Sequence, residues 1–229
     1  VRISVCIPCM NRTHDLEQIM PSLIQAANNS PPIEIVILDY NSQDRLAEFM
    51  QETALAELLT DSNELTYRKY TGRDYYHMAH ARNLSALASS GDYILISSAD
   101  VYMLPDYLSI MRKKISEGYT WLHHSDRFVG VVCIERQEFI SAGGFDERFE
   151  FYGKEDKDLI ARLLRRGASH TQMPDLLSLI PTPWADKLIN YRGNPSRSQV
   201  SKYSKAIYQS NIDSGVLVVN QDKGWGLWE

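Results

Sequence analysis

Glu155, Asp156 and Asp158 crowd the head of a helix-compatible run, EDKDLIARLLRRG. Acids in a first helical turn are favoured by the helix dipole, and that accounts for Glu155 and Asp158. Asp156 stands three, four and seven residues before Leu159, Ile160 and Leu163. That spacing places it on the apolar face, aimed at a core or a cleft. A carboxylate lining a cleft can serve as general base toward a substrate hydroxyl within hydrogen-bond reach. A second isolated acid, Asp100, follows the apolar run YILI in the stretch SSADVYM. It reads either as a solvated loop residue or as a hard oxygen ligand for a divalent cation at the mouth of a cleft.

Other reactive residue types are less pointed. Cys6 and Cys9 have C-x-x-C spacing, but Cys6 lies in a strand-like run and no second pair completes a zinc site, so both read as packing residues. Three cysteines do not make a disulfide framework and fit a reducing compartment. His123 and His124 read as a solvated loop rather than a metal cluster, and His77 and His80, at i and i+3 near the start of a helix, as surface residues or as contacts to an anionic ligand. Trp184 offers an aromatic face that could stack on a ligand.

The elements that must position these groups follow from periodicity. Ile3 to Pro8 and DYILIS read as buried strands, Ile33 to Leu38 as a second apolar, β-branched run, and LTYRKY as a third strand. Leu16, Ile19, Met20, Leu23, Ile24 and Ala27 form one helical stripe with Thr13 as its N-cap. Leu46, Phe49, Met50 and Leu58 suggest a second helix and MAHARNLSALASS a third. Strand and helix alternate, so the fold class is α/β with a mainly parallel central sheet flanked by helices. Ligands of such sheets sit beyond the carboxyl ends of the strands, where Pro8–Arg12, Asp39–Ser42 and Ser98–Tyr102 converge. After residue 120 the alternation weakens. FVGVVCIER reads as a strand, FISAGGFDERF as a short helix and turn, and the run from Glu155 as a helix stopped at Gly167.

The chain has 229 residues and a net charge of −5, the balance of a soluble globular domain rather than a duplex-DNA or anionic-membrane binder. No apolar run reaches the roughly 20 residues that span a bilayer and no signal peptide opens the sequence, so a cytoplasmic protein is expected.

The segments ISVCIPCMNR, IEIVILDYNSQD, HARNLSALASSGDYILISSAD, GVVCIERQEFISAGGFDERF and YGKEDKDLIARL, in that order, resemble a family 2 type glycosyltransferase of the GT-A fold. The final piece is similar to galactosyl- and N-acetylgalactosaminyl-transferases, including chondroitin-polymerase-like domains. The resemblance covers residues 1–180 and leaves residues 181–229 as a loop-rich C-terminal arm. It implies a UDP-sugar donor, an acceptor hydroxyl on a glycan such as a capsule or lipopolysaccharide, and Mn²⁺ or Mg²⁺. By resemblance, Pro8, Asn11 and Arg12 border the nucleotide and Asp39 accepts from its base or ribose. Arg82, Asn83, Ser98 and Ala99 hold the nucleotide-sugar. Asp100 is the metal acid, Asp156 the base with Glu155 beside it, and Tyr152 touches a sugar. Ser98 stands where the family usually has a first Asp. The expected downstream metal His is missing too, with His170 and Asp186 as substitutes.

Residues 187–212 hold five cations and no acid. This stretch reads as a partly ordered arm, and as a lid if Arg192, Arg197 or Lys202 neutralises a diphosphate. Two alternatives stand beside the glycan reading. One is a transferase acting on modified DNA bases, with Tyr191, Tyr203 and Tyr208 as stacking platforms along the arm. The other is a non-catalytic nucleotide- or glycan-binding module, suggested by Ser98.

Overall fold

The computed structural model describes residues 1–52, 55–221 and 224–228, without the side chains at 52, 184 and 185. Its first half follows the alternating pattern: β1 (Ile3–Cys9), α1 (Thr13–Asn28), β2 (Ile33–Tyr40), α2 (Leu46–Glu52), β3 (Glu64–Tyr70), α3 (Met78–Leu87) and β4 (Tyr93–Ile96). Then come β5 (Val101–Met103), α4 (Tyr107–Ser116), β6 (Trp121–His123), β7 (Val132–Glu135), α5 (Arg136–Ser141) and α6 (Glu155–Arg165). The chain continues through β8 (His170–Gln172), β9 (Leu177–Leu179), α7 (Trp184–Leu188) and α8 (Arg197–Asp213).

The main sheet runs β3-β2-β1-β4-β7-β6-β8. β1, β2, β3 and β4 are parallel, and β7 is antiparallel to both β4 and β6. β1 and β2 are buried on both faces, which is why they read as continuous apolar runs rather than alternating ones. Each face of the sheet carries its own core. One packs Leu16, Ile19, Leu23, Leu108 and Met111 of α1 and α4 against Ile3, Val5 and Ile7. The other packs Phe139, Phe145, Leu159 and Leu163 against Cys6, Ile94 and Ile96. After β1 the chain goes to β2 on one side, and after β3 it crosses to β4 on the other. The crevice between the ends of β1 and β4 is therefore the topological switch point.

Five expectations are corrected. His77 and His80 are not surface residues: both are buried at the head of α3, where His77 Nδ1 accepts the His80 N–H. Thr13 does not cap α1: it is the first helical residue, and its N–H donates to Asp44 Oδ2 at 2.9 Å. The first half of FVGVVCIER is not strand: a 3-10 turn at Asp126–Phe128 precedes β7. His124 is not a solvated loop residue: it is buried between the Tyr107 hydroxyl (3.0 Å) and the Val131 carbonyl (2.8 Å). The arm is not loop-rich throughout. α8 is a 17-residue helix with a capping box between Ser196 and Gln199, and Ile207 and Tyr208 join the second core. Asn211 of α8 is buried and donates to both Asp146 (2.9 Å) and Asp158 (2.8 Å). Among the described residues no helix is long and apolar enough to cross a membrane.

Candidate active site

The loops after β1 and β2 are locked to one another before they reach the site. Asn11 and Asn41 both adopt left-handed backbone, which a short amide side chain tolerates. The Asn11 N–H donates to Ser42 Oγ (3.1 Å), and Asn11 Oδ1 accepts from the Gln43 N–H (2.7 Å). Asn11 Nδ2 donates to Asn190 Oδ1 (2.8 Å), which ties the arm to the same loop. A cleft of about 240 Å³ opens at the switch point, lined by Pro8, Cys9, Met10 and Arg12 on the β1 side and Ser98, Ala99, Asp100 and Val101 on the β4 side. α3 contributes Arg82, the loop before β7 contributes Asp126 to Val131, and the head of α6 contributes Glu155 and Asp156, with Tyr152 just before them.

The acids of α6 divide sharply. Asp158 is buried with Arg162, Nε to Oδ2 2.8 Å, and the same guanidinium donates to the Ala142 (2.8 Å) and Gly144 (2.7 Å) carbonyls. Gly143 and Gly144 sit at positive φ in this turn, and a Cβ on Gly143 would lie 2.2 Å from the Val219 carbonyl oxygen. Glu155 is 1 % exposed and lies 3.1 Å from the buried Arg82 guanidinium. The pair is close but poorly aimed: Arg82 Nη1 and Glu155 Oε2 are both buried without a hydrogen-bond partner among the described residues. Burial, reinforced by the charge on Asp156, pushes the Glu155 carboxyl up to about 7 against the opposing pull of Arg82. Asp156 alone remains half-buried at the cleft, its Oδ1 accepting the Lys157 N–H at 2.6 Å. Gly130 closes on this group, since a Cβ there would meet Arg82 Nη2 at 3.0 Å and Asp156 Oδ2 at 3.7 Å.

At the end of β4, burial raises the Asp100 carboxyl above its ordinary range, opposed mainly by Lys187. Lys187, Asn190 and Tyr191 of the arm line the cleft, whereas Arg192, Arg197 and Lys202 are not among its lining residues. Arg12 is held by Asp15 (3.1 Å) and donates to the Asp186 carbonyl at 2.8 Å.

The structure thus brings together Pro8, Arg12, Arg82, Ser98, Ala99, Asp100, Tyr152, Glu155 and Asp156. Asn11, Asp39 and Asn83 lie behind the cleft. Asp39 is fully buried and accepts from the Ser42 N–H (2.7 Å) and the Tyr67 hydroxyl (2.7 Å). Asn83 clamps the loop before α6 through the Phe145 N–H (2.8 Å), the Phe145 carbonyl (2.9 Å) and Glu147 (2.9 Å). The Trp184 side chain lies outside the described residues. His170 stacks on Trp121 at 4.7 Å, and neither His170 nor Asp186 lines the cleft. Sequence reasoning missed Tyr76, Gly130 and Lys187 as cleft residues, and took Tyr191 only as a stacking platform of the arm. Lys187 carried a signal as the first cation of the acid-free stretch, and Tyr191 as an aromatic between its cations.

A mainly parallel sheet with its cleft at the β1/β4 switch point, acids at the end of β4 and at the head of α6, and a Gly-Gly turn before that helix define a class of nucleotide-sugar-dependent transferase. The family profile described as Glycosyl transferase family 2 matches residues 4–171, and the chain belongs to that family. The structure is similar to a mannosyltransferase from Pyrobaculum calidifontis in complex with GDP-Man and Mn²⁺, with TM-score 0.66 and 16 % identity over 93 % of this chain and 76 % of that one. It is similar to S. aureus TarS (residues 1–349) in complex with UDP, with TM-score 0.65 and 13 % identity over 93 % and 72 %. A Drosophila galactosyltransferase in complex with manganese, UDP-Gal and xylobiose gives TM-score 0.59 and 17 % identity over 88 % and 79 %. At these identities the likeness shows the GT-A fold. No curated protein sequence matches the chain.

Proposed function

We propose that the protein transfers a hexose or N-acetylhexosamine from a UDP-sugar to an acceptor hydroxyl on a glycan, with inversion at the anomeric carbon. The carrying observation is the half-buried Asp156 carboxylate at the head of α6, facing the cleft beside the buried Glu155–Arg82 pair. Asp158 is committed to Arg162 and Glu155 is buried with its carboxyl pushed up to about 7, so Asp156 is the α6 carboxylate left half-buried at the cleft to take a proton. In the reaction Asp156 accepts the acceptor hydroxyl proton and the oxygen attacks the anomeric carbon. The bond from that carbon to the phosphate oxygen breaks, its electron pair leaving with UDP. One displacement by one base gives inversion. The unmatched Arg82 Nη1 and Glu155 Oε2 offer a donor and an acceptor to hydroxyls of a bound sugar.

The fit to a divalent cation is that of a phosphate-completed site. Among the described residues no group of three or more His, Cys, Asp or Glu forms a cage, but Asp100 is a desolvated carboxylate whose charge lacks full compensation. Mg²⁺-type sites commonly take one or two carboxylates and substrate phosphates. Asp100 would hold Mn²⁺ or Mg²⁺ together with donor diphosphate oxygens, and the ion would neutralise the leaving group. Arg12 and Lys187 add positive charge at the same rim.

The test is UDP release from a panel of UDP-sugars with Asp156→Asn beside the wild type. Loss of a general base lowers turnover by about 10² to 10⁴, with donor affinity within a few-fold. Near-normal turnover in Asp156→Asn would refute the assignment. No turnover by the wild type with any donor and acceptor would favour the binding module suggested by Ser98.

A further inference from the structure

The charges of the chain are segregated. Residues 187–212 carry +5 with no acid, and the remainder carries −10. Lys187, the first of these cations, lines the cleft, and Arg192, Arg197, Lys202 and Lys205 follow it outward, all exposed. Arg192 lies over the Tyr75 ring at 5.5 Å. On α8 the buried residues are Val200, Ser204 and Asn211, and at 100° per residue Lys202 and Lys205 fall on the opposite, outward face. Helix stability does not explain them. No acid precedes them in α8 to form a spaced pair, and among the described residues Arg192, Lys202 and Lys205 make no ion pair. The row is also rigid, since α8 is capped by Ser196 and Gln199 and bolted to α6 through Asn211.

We propose that this row is a docking surface for an acidic polysaccharide, the acceptor whose terminal sugar enters the cleft while its anionic groups lie along α8. The acceptor role rests on the transferase reading of the cleft. Arg192 and Arg197 precede the outward pair Lys202 and Lys205, so the cations are spread along residues 192–205 rather than gathered at one small-anion site. Carbohydrate is favoured over nucleic acid because the arm's tyrosines are engaged within the fold, Tyr203 being the most exposed of the three. Tyr191 is buried against Tyr76 and Phe151. Tyr203 donates its hydroxyl to the Arg148 carbonyl at 2.8 Å with its ring edge on Phe151. Tyr208 packs into the core beneath Lys154.

Dextran sulfate, uncharged dextran of the same length and a single-stranded oligothymidylate are titrated against the protein by fluorescence anisotropy. Dextran sulfate binds and dextran does not. With four cations engaged, affinity falls roughly 50-fold between about 50 and 200 mM salt, by the counterion-release slope for flexible polyanions. Lys202→Glu/Lys205→Glu weakens binding and at least halves that slope, and the milder Lys202→Gln/Lys205→Gln falls between, with circular dichroism checking that α8 is intact. Unchanged binding in the folded charge-reversed variant overturns the proposal. So does oligothymidylate binding more tightly than dextran sulfate, which would make the partner a nucleic acid. Wild-type UDP-sugar turnover is read separately. If it is absent while dextran sulfate binding follows this pattern, the transferase reading fails and the polysaccharide surface stands.

Discussion

Replacing Glu155 by Gln removes a carboxyl group that the fold holds against its own charge. The carboxyl is raised from 4.5 to about 7 by burial and by Asp156, and the nearby Arg82 does not cancel the cost. Between those two values the folded chain keeps a proton that the unfolded chain has lost. Stability from this group is therefore fully present below about 4.5 and is lost as pH rises through 7. The shift corresponds to roughly 3 kcal/mol. Three buried histidines titrate in the opposite sense, so the wild-type profile alone is not diagnostic, and the difference between wild type and Glu155→Gln isolates this group. At pH 5 Glu155 is protonated and Gln nearly reproduces it, so the two proteins match closely. At pH 8 the variant is the more stable by up to that amount, a rise in Tm of about 6–12 °C for a chain of this size. Guanidinium unfolding and calorimetry at both pH values read the effect directly. A well-formed buried ion pair predicts the reverse, because its carboxyl would be depressed and its loss would strand Arg82. If Glu155→Gln loses stability relative to wild type as pH rises from 5 to 8, Arg82 and Glu155 form such a matched pair and the misaimed geometry is refuted.

On the acid side, burial lowers His77 to about 3 and His80 and His124 to about 4. The unfolded chain then binds the extra protons, so stability falls as pH drops from 6.5 toward 4, most visibly in Glu155→Gln, and a flat unfolding profile over that window would contradict it. Asp100→Asn keeps the side chain's shape and removes its charge, so titration calorimetry with UDP shows strengthening by Mn²⁺ in the wild type and not in the variant. Asn211→Ala leaves Asp146 and Asp158 short of a donor each and costs about 2–3 kcal/mol. Because α8 shares the second core, that loss lowers one cooperative transition, and a separate early transition for residues 181–229 would refute the shared core.

The α/β alternation was legible because each signal is local. Buried parallel strands are apolar on both faces, and α1 shows its stripe within one helix. What lay beyond the sequence depended on partners far along the chain. The cap of α1 comes from Asp44, so the nearby Thr13 looked sufficient. α8 was invisible as a packed helix because its inward positions include Ser204 and Asn211, and their burial is compensated by α6 and the Asp146 loop rather than by hydrophobicity.

The same blindness operated at α6, where it bears on chemistry. In the sequence Leu159, Ile160, Leu163 and Leu164 read as one apolar stripe, which makes Asp156 the inward acid. In the fold Leu164 is 49 % exposed, and the buried side of the helix is Glu155, Asp158, Leu159, Arg162 and Leu163. Charged residues at inward positions cannot be recognised until Arg82 from α3 and the carbonyls of Ala142 and Gly144 come within reach. The expectation at Asp156 thus pointed to the cleft for the wrong reason. Asp158 is drawn inward by Arg162 and Glu155 is buried beside a misaimed Arg82, which leaves Asp156 half-buried at the rim as the carboxylate on which the proposed base role rests.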